Sequence, residues 1–177
     1  NFFFLACICF YFLCMCLRAR PWAAILGSLA FAYCSFSPII ITAGHDTEML
    51  ALAYAPALMG ATILIFNKQY WTGFTLAALF TALQIGQSHQ QISFYLFLIL
   101  IIMSVSYIIY AIREKQTASV LKSIGLLVVA GIIGVAVNTI TLLPAYDYSK
   151  VSKRGGQLVM NPAEQKGEKV VDGKTEG

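Results

Sequence analysis

Apolar runs of roughly membrane length, joined by connections of only a few polar residues, constrain this chain more than any other feature. Six such runs can be drawn, about 2–17, 21–41, 49–66, 70–86, 92–112 and 121–143. Each approaches or reaches the roughly 20 residues a helix needs to cross about 30 Å of hydrocarbon. Hydrophobic residues make up 59% of the 177 and charged ones 11%, more apolar surface than a soluble domain of this length can hide. The expected fold is therefore an all-α polytopic transmembrane helix bundle of about six spans within residues 1–143. A polar segment, 144–177, rich in Lys, Glu, Gly and Asp without apolar periodicity, reads as a disordered tail or as the start of a truncated domain. Both ends of the chain read as cut. Residues 1–17 read as a span rather than a signal peptide, because Arg18, Arg20 and Pro21 stand where a small-residue cleavage site belongs.

The cations set an orientation. Connections one, three and five carry Arg18 and Arg20, then Lys68, then Arg113, Lys115 and Lys122, whereas 43–48 and 87–91 carry none. Short loops rich in Lys and Arg stay on the cytoplasmic side, so loops 43–48 and 87–91 are expected outside, and by parity the tail 144–177 as well. With the cations accounted for in this way, the net charge of +4 gives no support to nucleic-acid binding. The spacing of Cys7, Cys9, Cys14 and Cys16 resembles a metal site, but on a helix Cys7 and Cys14 share one face and Cys9 and Cys16 another, so all four cannot converge.

Within the runs, Ala53, Ala57 and Ala61, and likewise Ala130 and Gly134, recur every fourth residue and mark seams where helices approach closely. Pro38 is expected to end or kink the second run and Pro56 to bend the third. The carbonyl that Pro56 frees requires a neighbouring helix or a wet cavity. Asn138 is the polar residue deepest in the sixth run, where such a residue usually joins helices by a hydrogen bond.

Polar residues gather in the two cation-free loops. One holds Gly44, His45, Asp46, Thr47 and Glu48; the other holds Gln87, Ser88, His89, Gln90 and Gln91, with Gln84 one turn earlier. Helix capping accounts for Asp46, Thr47 and Glu48, and a capping box for Ser88 with Gln91. It does not account for both histidines of the chain falling in these loops. Each is either an ordinary interfacial residue or part of a site. If the loops adjoin, His45, Asp46, Glu48 and His89 offer two imidazoles and two carboxylates to a phosphate or to a divalent cation such as Mg or Mn. Past the last run, Lys150, Lys153 and Arg154 beside Gly155 and Gly156 either grip a lipid phosphate or are merely solvated.

Three stretches carry a family resemblance: Thr42 through Glu48 before an Ala-rich run, Ala82 through Gln91, and Tyr148 through Gly155. Their order and spacing resemble the YfhO family of bacterial polytopic membrane proteins, in the version found in Bacteroidetes-type genomes. That family is similar to glycosyltransferases of the GT-C superfamily. The resemblance implies a multi-pass protein of the bacterial inner membrane that transfers sugar from a polyprenyl-phosphate donor to a glycan or lipid acceptor of the cell envelope. It further implies Asp46 and Glu48 as candidate base or metal contacts, and His45, His89, Gln90 and Arg154 as candidate phosphate contacts. In such enzymes the principal acidic residue lies in the first outer loop, expected here upstream of Asn1. Where the family's Gly-His motif continues with Asn and a basic residue, this chain has Asp46 and Glu48. A transporter or flippase and a non-catalytic envelope scaffold are the rival classes. The absence of any Asp, Glu, Lys or Arg deep in a run weighs against ion-coupled transport.

Overall fold

A computed structural model describes residues 2–140 together with 142 and 143; the expected tail, Arg154 and the Tyr148 to Gly155 stretch lie outside the described residues. The chain is all-α, and no strand occurs among the described residues. Its helices are α1 (Phe2–Cys16), α2 (Pro21–Ala32), α3 (Phe36–Thr42), α4 (Asp46–Phe66), α5 (Tyr70–Gly86), α6 (Gln90–Arg113) and α7 (Thr117–Val137). Residues up to Asn138 form one compact unit.

The helices fold back on one another because their ends share one closing turn. Arg18, Gly44, Lys68, Ser88 and Lys115 have φ of 58°, 77°, 67°, 58° and 55°, the left-handed conformation that ends a helix. In four of these turns the N–H of the next residue reaches back to the helix's third-last carbonyl: Ala19 to Cys14 at 3.0 Å, His45 to Ile40 at 3.2 Å, Gln69 to Leu64 at 3.0 Å and Gln116 to Ala111 at 2.9 Å. Such closure leaves only three or four residues between helices, which forces antiparallel neighbours. Leu13 and Cys16 of α1 pack with Ile63 of α4, and Tyr70 at the start of α5 bonds Ser119 at the start of α7. The three cation-bearing connections therefore lie at one end of the bundle, and the Gly44 and Ser88 turns at the other. Both tryptophans, Trp22 and Trp71, stand exposed at the cation-bearing end, as aromatic residues do at a membrane interface.

Four segments are long and apolar enough to cross a membrane: Pro21–Thr42, Asp46–Phe66, Gln90–Arg113 and Thr117–Val137. That is the signature of an integral membrane protein. α1 has 15 residues and α5 has 17, which span about 22 and 26 Å at 1.5 Å per residue.

Two expectations about boundaries are corrected. The second run breaks at residues 33–35 rather than at Pro38, which sits in the first turn of α3. The N–H that Pro lacks there would have had no partner within the helix, so Pro38 begins a helix instead of ending one. Asn138 is not inside a helix but caps the end of α7.

α4 is the central element and touches α1, α3, α5, α6 and α7. Ala53, Ala57 and Ala61 along it are wholly buried. Contact with α5 is closest at Gly73, where an added Cβ would lie 2.8 Å from the Ile65 backbone nitrogen. α5 meets α7 in the same manner at Gly134, where an added Cβ would lie 2.5 and 2.9 Å from Thr81 side-chain carbons. Ser123 of α7 donates to the Ile65 carbonyl at 3.2 Å and pins the third helix to the same seam. Replacing Gly73 or Gly134 by Ala is expected to cost about 1–3 kcal/mol by overpacking. Gly125→Ala, at a site with nothing within 4 Å, should be neutral or slightly stabilising. Unfolding of the three variants in mixed micelles, followed by circular dichroism, measures the difference.

Candidate functional site

At the end of the bundle without cations, the Gly44 and Ser88 turns place the two histidines at corresponding positions. Each follows the left-handed residue, and each is the N-cap of the next helix, His45 of α4 and His89 of α6. Neither imidazole makes a capping bond. The capping box expected of Ser88 with Gln91 does not form. Ser88 is committed to closing α5 at φ 58°, which shifts the N-cap to His89, and the Gln91 amide turns instead to the Tyr95 hydroxyl, 3.5 Å away. Asp46 and Glu48 occupy the first turn of α4, where the N-terminal end of the helix dipole favours negative charge.

From these two turns a pocket of about 290 Å3 is assembled. Glu48 and Leu52 enter it from α4, Phe36 from α3, and His89, Gln91, Ile92 and Tyr95 from the start of α6. Glu48 and Leu52 are four residues apart, as are Gln91 and Tyr95, so each pair lies on one helix face. The same periodicity excludes other candidates. Asp46, two residues before Glu48, is rotated by about 200° at 3.6 residues per turn. Asp46, His45 and Gln90 are exposed and line no part of the pocket.

Of the residues singled out in the sequence, then, the structure unites Glu48 and His89, leaves His45, Asp46 and Gln90 outside, and adds Gln91 and Tyr95. Their signal was available in the i, i+4 spacing that follows His89. Among the described residues no group of three His, Cys, Asp or Glu side chains could hold a metal ion. The four cysteines of α1 are unpaired, Cys9 and Cys16 buried and Cys7 and Cys14 half-buried.

Two polar features border this end. Pro56 has no N–H to give the carbonyl of Leu52, a residue that lines the pocket; the freed carbonyl therefore belongs to a residue at a cavity rather than in lipid. Gln84 on α5 is fully buried. Its Nε2 lies 3.4 Å from Ser93 Oγ and its Oε1 has no partner. Turning the amide over would only exchange which of the two atoms is left unpaired. Asn138, by contrast, donates to the Ala82 carbonyl at 2.8 Å and to Gly134 at 2.9 Å, tying the end of α7 to α5.

Fold and site together define a membrane-compatible helix bundle with one acid- and imidazole-bearing pocket at its cation-free end. Comparison with family models, curated proteins and solved structures finds no match to the chain.

The two amides, Asn138 half-buried and Gln84 fully buried, should respond differently to removal. Asn138→Leu is expected to cost about 1–2 kcal/mol through lost interhelical bonding. Gln84→Leu should stay within about 1 kcal/mol of the parent, since removing an unpaired buried carbonyl offsets the loss of one long bond. Detergent-titrated unfolding of the two variants checks the contrast.

Proposed function

We propose that the chain is part of a YfhO-like, GT-C-type glycosyltransferase that uses a polyprenyl-phosphate-linked sugar at the outer face of a bacterial inner membrane. The observation that carries this reading is the meeting of Glu48 and His89, from separate turns, at one pocket at the cation-free end. By the distribution of cations, that end is the extracytoplasmic one.

In this reading, Glu48 takes the proton from an acceptor hydroxyl as its oxygen bonds the anomeric carbon. The bond from that carbon to the phosphate oxygen breaks, and its electron pair leaves with the lipid phosphate. His89, with the Gln91 amide and the Tyr95 hydroxyl, donates hydrogen bonds to the departing anion. A carboxylate base and donors aimed at a leaving anion are the two parts such a transfer needs. Phe36, Leu52 and Ile92 form the apolar side of the same pocket, suited to the first carbons of a lipid carrier. Arg154 remains a candidate phosphate contact outside the described residues.

The test is transfer of labelled sugar from a polyprenyl-phosphate donor by the full-length protein in proteoliposomes. Glu48→Gln and His89→Ala should each lower transfer by at least about 100-fold, the usual scale for a proton-transfer residue. His45→Ala, Asp46→Asn and Gln90→Ala should leave it within a few-fold of the parent. Full activity in both pocket variants would remove the site, and inactivity of the parent with every donor would remove the enzyme class.

A further inference from the structure

α6 is buried only near its two ends; between them it packs in part, through Leu100 and Met103. Near its start Ser93 bonds Gln84 and Leu96 is buried; near its end Ala111 is buried and Tyr107 stacks on Phe66 with ring centroids 4.5 Å apart. From Phe97 to Tyr110 no residue of the helix is buried. A cavity of about 550 Å3 opens there against α4, α5 and α7. Its walls are apolar except for Thr62, Thr81 and Ser104, and the Thr62 hydroxyl is already bonded to the Leu58 carbonyl at 2.9 Å. On the α7 side stands Gly131, at which an added Cβ would meet nothing within 4 Å.

The space continues toward the cation-bearing end. Ile108 and Ile124 also line a second apolar cavity of about 270 Å3. Ala111 and Val120 lead from that into a third, of about 100 Å3, where Asn67, Lys68, Glu114, Gln116 and Ser119 make the lining polar. Ser119 bonds the Tyr70 hydroxyl at 2.9 Å, and the Lys122 ammonium lies 4.4 Å above the Tyr70 ring. Arg113 and Lys115 flank Glu114 in the adjoining turn. The three cavities thus adjoin in succession along α6 and α7, from hydrocarbon depth to an end where Lys68, Arg113, Lys115 and Lys122 outnumber Glu114.

Apolar space of this kind does not fill with water, and a far smaller cavity, about 150 Å3, stays dry and takes up small hydrocarbons. Charge complementarity then selects the occupant: an aliphatic chain for the slot and an anion for the mouth, at the level where clustered Lys and Arg meet acidic headgroups. We propose that the α6–α7 groove binds an anionic phospholipid of the leaflet at the cation-bearing end. One acyl chain lies in the groove and the phosphate sits against Lys68 and Lys122. The site is separate from the Glu48 and His89 pocket, which lies at the opposite end of the bundle.

Native mass spectrometry of the 177-residue chain, released from nanodiscs of equal phosphatidylglycerol and phosphatidylcholine, provides the test. One retained phosphatidylglycerol per chain is expected, favoured about tenfold over phosphatidylcholine by the attraction of the two lysines. Lys68→Gln combined with Lys122→Gln should keep a lipid bound but abolish the preference. Gly131→Leu should expel the lipid by filling the slot without meeting protein. Ser104→Leu, from the opposite wall, makes the same arm available if the Gly131 variant does not fold. Equal retention of the two lipids by the parent chain, unchanged retention in the slot-filling variants, or a lipid-free dimer would each overturn the proposal.

Discussion

The bundle depends on helix backbones coming within reach of one another where side chains are smallest. In hydrocarbon no hydrophobic force drives helices together, because lipid tails are as apolar as leucine. Dispersion contacts and a few hydrogen bonds must suffice, and both require short distances. α4 supplies four wholly buried alanines, Ala51, Ala53, Ala57 and Ala61, and α5 presents Gly73, Ala77 and Thr81 as a buried stripe against α4 and α7. Once the backbones are that close, Ser123 can reach the Ile65 carbonyl across the seam, and Asn138 can reach that of Ala82. The hydrogen bonds follow from the packing.

The pocket is a consequence of the same geometry acting through the turns. A helix closed by one left-handed residue leaves the next residue to start the following helix, so equivalent positions in successive turns are equivalent in space. His45 and His89 share that position, but the helices they begin differ in what surrounds them. α4 starts beside the short α3, with His45 and Asp46 exposed to the outside. α6 starts against Glu48 and Leu52 of α4 and Phe36 of α3. Two histidines placed alike by local structure are thus given different surroundings by tertiary structure.

Much of the fold was legible in the sequence because the bilayer imposes length and polarity on a helix so strongly. The bounds of α5, Tyr70–Gly86, coincide with those of the fourth apolar run, 70–86, and the alanine spacing of α4 announces its buried face. The break at residues 33–35 was not legible, because neither Tyr33 nor Cys34 is a helix breaker, while Pro38, the evident candidate, is harmless in a first turn. Gly73 was legible by the same spacing, since it recurs with Ala77 and Thr81 every fourth residue, but how closely it meets Ile65 was not. At the site, residue types pointed to the two loops from which the pocket is built. Which members converge depended on helix phase, and phase could be fixed only after the N-cap was known to be His89 rather than Ser88.

The placement of α6 follows from a conflict between that packing rule and the helix's own composition. It is the longest helix among the described residues, at 24, and its middle is built mainly from Leu, Ile, Met and Val with Ser104 and Ser106 as its small residues. Side chains of that bulk cannot enter the seams that Gly73 and Gly134 open for α5 and α7. Close contact is therefore confined to a few points, Ser93, Leu96 and Ala111 and the stacking of Tyr107 on Phe66, with Leu100 and Met103 packing only in part. Between those points the branched side chains hold α6 away from α4 and α7, and the gap along the helix is the direct result. A bundle that packed α6 with the small-residue stripes of its neighbours would have no such groove, so the groove is encoded by the absence of a Gly or Ala from Phe97 to Tyr110.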